Sequence, residues 1–373
     1  MSKKKILYIT QSLGGIETYI RTVVEHIDKD KFEFVVVAPF SDGFSEFCNK
    51  RNIKIYNIVR GRETSLFYDF ILIFKLKKII KQVKPDLVHL HSAKAGFIGR
   101  IACRMASVKS VFSPHGQSYL SFTGIKRMVY FGLEVFVKKY TDKILAVSYS
   151  EAIRCVYEVG HAEEIVTVIP NAIDIPDLKD IKLTGLFESP VIKIGTIARL
   201  TYQKNPLLFV EIANKIIKRF PQAEFYILGA GLEDHLKQQT IDRVNLYGIQ
   251  DKFHILSWAT REESQDFLKS LDIFLLTSIF EGLPLSLLEA MALGVPSVTS
   301  KCDGCNDVIQ NNVNGYACMN KDEFIDIISG LINDKEHAQE IAVAGREYVV
   351  SKHNLVNNIK LLETFYTDFD SKK

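Results

Sequence analysis

Short apolar runs rich in β-branched residues alternate with longer helical patterns along the whole chain, a pattern that folds as a parallel sheet with helices on both faces. The runs are residues 6–10, 34–38, 53–59, 87–90, 110–113, 143–147 and 166–169, and then 193–198, 224–228, 253–257, 273–277 and 297–299. Between the two series lies Pro170-Asn171-Ala172-Ile173-Asp174-Ile175-Pro176-Asp177, with Gly185 and Pro190 beyond it. That composition continues neither a helix nor a central strand, so a hinge belongs there. The expected organisation is a Rossmann-like domain over 1–172, a second Rossmann-like domain over 173–350, and a C-terminal helix over 351–373 that returns to the first domain. Two cores suit a chain of 373 residues, since single cores stop growing at about 250–300.

Six cysteines scattered through a long chain do not form a disulfide scaffold and favour a reducing compartment. Cys302 and Cys305 make the single CxxC. Without a second pair it is read as a loop with two incidental thiols, and no metal is placed there. The apolar run 6–9 behind Lys3, Lys4 and Lys5 is too short for a signal-peptide core. The richest apolar stretch, 66–80, is broken by Asp69, Lys75, Lys77 and Lys78. The chain is therefore expected in the cytoplasm, with no membrane span. Its net charge of +3 hides an asymmetry: residues 1–170 hold 26 Lys+Arg against 16 Asp+Glu, the remainder 21 against 28. A basic first half suits an anionic partner.

In open sheets of this kind ligands bind beyond the carboxyl ends of the strands. After the run 273–277 comes Phe280-Glu281-Gly282-Leu283-Pro284-Leu285-Ser286-Leu287-Leu288-Glu289. Pro284 suits the first turn of a helix, with Leu285, Leu288 and Ala292 on its apolar face. The free N–H groups at such a start attract a pyrophosphate or sugar hydroxyls. Glu281 and Glu289 are up to ~12 Å apart along a helix axis, too far for a hydrolase carboxylate pair, and are read as holding two ends of one ligand. After 193–198, Arg199 and Lys204 offer a guanidinium fork and a point charge suited to two phosphates.

These residues resemble the signature of glycosyltransferase family 4. Glu281 and Glu289 match its E-x7-E motif, and Arg199 and Lys204 its strand-R-x-x-x-x-K element. The resemblance spans essentially the whole chain and implies the α/β GT-B fold, two doubly wound parallel-sheet domains facing across a cleft. By it, Arg199 and Lys204 contact the donor diphosphate, Glu281 the transferred sugar and Glu289 the ribose. Gly282, Leu283, Pro284 and Leu285 surround the donor, Gly229 and Gly231 border the nucleotide, and the segment 253–258 lies against the nucleobase. One departure is the loop Asp303-Gly304-Cys305-Asn306-Asp307, where the family usually has Gly-Gly-x-x-Glu; Gly304 is kept and Asp307 stands in the Glu position.

In the first half, Gly14-Gly15-Ile16-Glu17 follows the first strand and opens a helix without the G-x-G-x-x-G spacing of a dinucleotide binder. It resembles the family's Gly-Gly loop, with Gly15 toward the donor and Gly14 and Glu17 on the acceptor side. His89-Leu90-His91-Ser92-Ala93-Lys94 and Ser113-Pro114-His115-Gly116 also follow strands. His89 and His91 are expected to face opposite ways at the strand end, against a zinc site. Bacterial polysaccharide-assembly members of the family carry similar segments, with the P-H-G histidine beside the transferred sugar. That resemblance assigns His115 to the reaction centre and His91 and Lys94 to the acceptor side.

The expected activity is retaining transfer of a hexosyl or N-acetylhexosaminyl group from a nucleotide-diphosphate sugar, a UDP-sugar, to a glycan or polyprenyl-diphosphate-linked acceptor in capsule, exopolysaccharide or O-antigen assembly. The family's usual scheme is front-face attack, the leaving phosphate oxygen taking the acceptor's proton, with no cofactor, metal or protein nucleophile. The DxD at Asp368-Phe369-Asp370 is read as solvated tail. Basic and aromatic residues interleave from Arg60 and Arg62 to Lys139, with Lys77, Lys81 and Lys84 expected on one helix face. They suggest peripheral docking on anionic lipid, and no nucleic-acid partner is expected. A nucleotide-sugar 2-epimerase and a non-catalytic nucleotide-sugar-binding subunit stay open as alternatives.

Overall fold

The computed structural model describes residues 3–11, 14–39, 41–58, 66–177, 181, 185–231 and 234–369. Arg60, Arg62 and Asp370 lie outside them. The chain divides into two compact units, Met1–Pro170 with Val356–Lys373, and Asn171–Leu355.

The first unit runs β1 (Lys4–Thr10), α1 (Gly15–His26), β2 (Phe32–Ala38), α2 (Asp42–Lys50), β3 (Lys54–Asn57), α3 (Leu66–Val83), β4 (Leu87–His91), α4 (Ala93–Ala106), β5 (Ser110–Ser113), α5 (Gly124–Val137), β6 (Lys143–Ala146), α6 (Tyr149–Ile153) and β7 (Val166–Val168). All seven strands are parallel, in the order β3-β2-β1-β4-β5-β6-β7. Both faces of the central strands are covered, and all five residues of β4 are buried, as a parallel sheet requires.

The second unit runs β8 (Ile192–Ile197), α7 (Pro206–Arg219), β9 (Ala223–Ala230), α8 (Lys237–Tyr247), β10 (Phe253–Ser257), α9 (Arg261–Ser270), β11 (Ile273–Leu276), α10 (Leu285–Ala292), β12 (Ser297–Ser300), α11 (Asp303–Asn306), β13 (Tyr316–Cys318), α12 (Lys321–Asn333) and α13 (Lys335–Lys352). Its six parallel strands take the equivalent order, β10-β9-β8-β11-β12-β13. Strand β13 has no counterpart among the apolar runs, because three residues carry no readable period. Each sheet reverses its winding once, at β1/β4 and at β8/β11, and crevices for ligands open at such points beyond the carboxyl ends of the strands.

The last helix, α14 (Leu355–Asp368), packs with the first unit. Lys4 Nζ donates to the carbonyls of Tyr366 (2.6 Å) and Phe369 (2.9 Å), and Glu363 Oε1 accepts from the Asp28 N–H (2.8 Å). Where the chain passes between units, Ile173 and Asn354 form a parallel bridge and His353 Nδ1 meets the Asn171 carbonyl at 2.8 Å.

Two sequence expectations about helices change. Lys84 lies past the end of α3 with φ 50°, and Lys77 is half-buried, so Lys77, Lys81 and Lys84 do not form one exposed face. Pro284 is the residue before α10, with extended backbone (φ −73°, ψ 115°), and the helix begins at Leu285.

In the first unit Arg100 is fully buried, its guanidinium forked onto Glu134 with both contacts at 2.8 Å and a further bond to Thr141 Oγ1 at 3.0 Å. The pair ties α4 to α5. Removing one member of such a pair strands the other charge in a dry site. Glu134→Ala is accordingly expected to cost about 3–5 kcal/mol in equilibrium urea unfolding, and a loss below about 1 kcal/mol would show the pair to be idle.

Candidate active site

A polar cluster of the second unit sits beyond β8 and β11. Thr277 Oγ1 donates to the carbonyls of Lys204 (3.0 Å) and Asn205 (3.1 Å), and the Ile279 N–H to the Gln203 carbonyl (2.8 Å). The two loops are thereby knitted together. Asn205 takes a left-handed backbone (φ 49°) that turns the chain into α7, with Pro206 as that helix's first residue. This places Lys204 Nζ 2.5 Å from Glu281 Oε1, which also accepts from Ser278 Oγ at 2.6 Å. Gln203 Nε2 approaches Glu281 Oε2 at 3.4 Å. Glu281 is 7% exposed, so the pair works in a largely dry setting. Arg199 lies half-buried in the same post-β8 loop.

The loop 281–284 is fixed from behind. Asn171 Nδ2 donates to the Leu283 carbonyl (3.0 Å), and the Gly304 N–H to the Glu281 carbonyl (3.3 Å). A Cβ on Gly304 would lie 2.2 Å from the Gly282 oxygen, so only glycine fits there. Next to it, Asp307 is the residue after the one-turn helix α11, and its carbonyl accepts from Tyr348 Oη at 3.1 Å. Asp234 joins two loops, its oxygens accepting from the N–H groups of Leu200 (2.9 Å) and Gly231 (2.6 Å). Gly229 (φ 111°) is the penultimate residue of β9 and Gly231 the first beyond it, and Trp258, past β10, stands so close that a Cβ on Gly231 would meet its Nε1 at 2.3 Å.

Glu289 is in the middle of α10, where burial lifts its carboxyl to about 7 against the opposing pull of Arg261. The structure thus brings Lys204, Glu281 and the start of α10 into one cluster. Ser278, Gln203, Asp234 and Asn171 join it unforeseen by any motif; Ser278, three residues before Glu281, was the most readable from spacing. Cys302 and Cys305 are both buried, and among the described residues no group of three His, Cys, Asp or Glu side chains is arranged to hold a metal.

In the first unit the sequence expectation for His89 and His91 is overturned. Residues two apart on a strand share a face, and the two rings lie 4.1 Å apart by centroid. His91 Nδ1 meets His115 Nε2 at 2.9 Å, and Tyr19 packs edge-on to His115 at 5.3 Å. His91 Nε2 is buried without a hydrogen-bond partner. Burial holds both imidazoles neutral, His91 well below its ordinary pKa and His115 at about 4.

Behind this pair the hydrogen-bond directions are determined by elimination. Ser113 Oγ donates to the Leu145 carbonyl (2.7 Å), so it accepts from His89 Nε2 (2.8 Å). His89, its pKa pushed well down by burial, therefore carries its proton on Nε2. Its Nδ1 then accepts from Tyr366 Oη (2.7 Å), whose oxygen accepts from Tyr8 Oη (2.6 Å). Sequence reading missed Tyr8 and Tyr366, which meet across 358 residues.

Other first-unit candidates are placed as follows. Gly14 has φ 94° and ψ −127°, open only to glycine, and begins α1; nothing lies within 4 Å of a Cβ on Gly15. Glu17 is engaged by Arg21 of the next turn (2.7 Å), and Lys94 pairs with Asp69 (2.9 Å).

Family models decide the class. The model for Glycosyl transferases group 1 matches residues 184–348, and that for Glycosyltransferase Family 4 matches 13–176. The chain is a family 4 glycosyltransferase. An Escherichia coli UDP-Gal:alpha-D-GlcNAc-diphosphoundecaprenol alpha-1,3-galactosyltransferase is 29% identical, covering 98% of this chain and 97% of its own length. The Escherichia coli O-antigen biosynthesis glycosyltransferase WbnH is 26% identical over 92% of this chain and 95% of its own. Among solved structures, Anabaena HepE in complex with UDP and glucose has a TM-score of 0.81 at 20% identity, covering 98% of this chain and 100% of that one. Sucrose-phosphate synthase from Thermosynechococcus elongatus also scores 0.81 at 14% identity, covering 98% of each chain. These likenesses show the fold: two parallel-sheet α/β domains.

The raised Glu289 pKa gives a signed expectation. Because the folded state favours the protonated acid, stability is lost as pH rises from the unfolded carboxyl range near ~4.3 through about 7. Glu289→Gln should therefore raise the melting temperature more at pH 8 than at pH 5 in a ligand-free thermal melt. An equal change at both pH values would contradict the burial effect.

Proposed function

We propose that this glycosyltransferase transfers a hexosyl or N-acetylhexosaminyl group from a UDP-sugar to a polyprenyl-diphosphate-linked acceptor, with retention of anomeric configuration, in bacterial surface-polysaccharide assembly. The observation that carries the proposal is the Lys204–Glu281 contact at 2.5 Å beside the start of α10. It sets a cation, a carboxylate and free backbone N–H groups in one dry corner. A diphosphate seated there has its charge opposed by Lys204, Arg199 and the helix N-terminus as the glycosidic bond breaks. Glu281, already held by Ser278, is placed to grip sugar hydroxyls, and Glu289 to reach the ribose. Trp258 beside Gly231 offers a flat apolar wall to a nucleobase.

On the reading that the acceptor hydroxyl's proton leaves with the diphosphate, no side chain need act as nucleophile, and the charge balance needs no metal ion. His115, neutral at physiological pH, serves as a hydrogen-bonding group beside the sugar rather than as a cation. The acceptor class is suggested by the E. coli relative, whose substrate is a diphosphoundecaprenol-linked sugar. The UDP donor is suggested by that relative and by the UDP and glucose in the HepE complex.

A lipid-linked acceptor gives meaning to one surface. No helix of the described residues is long and apolar enough to cross a membrane. Yet α5 exposes Ile125 (81%), Met128 (73%), Val129 (53%) and Phe136 (51%), spaced as one helical stripe, to which we assign the docking role. Lys126, Arg127 and Lys139 flank it, and the helix's single acid, Glu134, is buried against Arg100. An apolar stripe with a cationic border fits an anionic bilayer surface.

Two measurements test these statements. Lys204→Ala should lower release of UDP from UDP-galactose and related UDP-sugars, with a polyprenyl-diphosphate-linked sugar as acceptor, by at least about 10²-fold in a protein that still melts cooperatively; wild-type turnover removes the diphosphate assignment. Flotation with phosphatidylglycerol vesicles should bind the wild type and lose the Ile125→Glu/Met128→Glu variant, and equal binding of both would end the α5 proposal.

A further inference from the structure

His115 has a left-handed backbone, φ 54°, followed by Gly116 at φ 98°. For a residue with a Cβ this conformation costs on the order of 1 kcal/mol and persists where the surroundings over-determine it. The surroundings that do so are on one short stretch of helix. Glu151 of α6, 2% exposed, spends one carboxylate oxygen on the Gly116 N–H at 2.6 Å and the other on the Val147 N–H at 2.9 Å. Its own N–H is held by Ser148 Oγ at 3.1 Å, so the carboxylate is fixed at the helix's first turn. Two further ties follow from the same segment. Gln117 Nε2 reaches Cys155 Sγ at 3.3 Å, and Tyr119 Oη donates to Glu158 Oε2 at 2.5 Å.

Residues 151, 155 and 158 are spaced i, i+4 and i+7, so they present one helical side to Gly116, Gln117 and Tyr119 in turn. The stretch includes a π-helical turn, Arg154–Glu158. Such turns recur at functional sites because they shift the side chains that follow. A loop tied at three successive points with a strained residue at its head is built to aim that residue, and what His115 aims at is His91 Nδ1, 2.9 Å away.

We propose that Glu151 is a positioning residue for His115: its carboxylate clamps the Gly116 N–H, holds the loop in its left-handed turn, and keeps the imidazole docked on His91 at the carboxyl edge of the first sheet. Glu151 touches no reacting atom in this scheme. Its part in catalysis rests on the reading of His115 given above, whereas the clamp itself stands on the geometry.

The groups facing His115 are His91 and, behind it, His89 from β4, Tyr19 from α1, and Glu151 through the Gly116 amide. Two effects of removing the carboxylate have opposite signs, which makes the test decisive. Loss of a negative charge lowers the imidazole pKa, while release of the loop to water raises it toward the ordinary value near ~6.5. A clamp predicts the rise.

The experiment is a pH titration of the full-length protein with nitrogen-15-labelled histidine, followed by NMR, with His115→Gln used to assign the resonance. The wild-type His115 midpoint is expected at about 4. In Glu151→Gln it should move up by at least about one unit, with the melting temperature little changed. A midpoint that stays or falls in a folded Glu151→Gln protein overturns the clamp. Should that variant fail to fold, Tyr119→Phe, which removes the third tie, carries the same expectation of a rise and the same refutation. Kinetics with UDP-galactose and a polyprenyl-diphosphate-linked acceptor separate this from the function reading. If both hold, Glu151→Gln and His115→Ala each lower kcat at least tenfold with donor KM within twofold, and the double variant loses no more than either. Full turnover by His115→Ala would remove His115 from the reaction while the NMR shift still decides the clamp. Loss in His115→Ala with full turnover in Glu151→Gln would overturn the positioning role alone.

Discussion

Every strand within each sheet runs the same way, and that constraint organises all the rest of the molecule. Parallel strands cannot be joined by tight turns, so each is followed by a helix that carries the chain back. All post-strand loops of a unit then gather at one edge. Because the winding reverses once, at β1/β4 and again at β8/β11, the helices on either side of that point diverge and leave room beyond the strand ends. Arg199, Lys204 and Glu281 come from loops flanking the second of these points, Gly14 from the loop after β1 and His91 from the last position of β4 at the first, with His115 one strand further on. Within each unit the candidate residues thus come from short segments far apart in sequence.

Loops at an open edge need fastening before they can present charge at a fixed place. In the second unit this is done by side chains that bind backbone: Thr277 and Asp234 cross-link three loops, and Gly304 lets the segment after β12 press against Gly282. The Lys204–Glu281 pair sits on top of that scaffold. It is mostly shielded from water, so its field is stronger than that of an exposed pair. In the first unit the fastening is a buried polar train. The Tyr8–Tyr366–His89–Ser113–Leu145 chain has one consistent donor order, which fixes the His89 tautomer. Its second donor, Tyr366, comes from α14, so the C-terminal helix completes the wall behind the His91–His115 pair.

The histidines show how a sound motif and a wrong geometry coexist. The H-x-H and P-H-G segments were legible as post-strand elements, yet their side chains' directions were not taken correctly, since positions two apart on a strand share a face. The basic interleaving was legible as well, but α3 ends before Lys84, and α5 exposes an apolar stripe with a cationic border that the interleaving did not single out. Neither outcome follows from charge counts. Both depend on where a helix stops and on which face its neighbours cover.

From its sequence alone this chain determined the two α/β sheets, the break near residue 170, and the family, because periodicity and motif spacing are local properties written along the backbone. Tertiary structure alone decided that Lys204 meets Glu281 across 77 residues, that Tyr366 reaches His89 across 277, and that Glu151 holds the loop of His115. Contacts of that separation arise from strand order and packing, and single side chains such as Glu151 carry no periodic signal that would announce them.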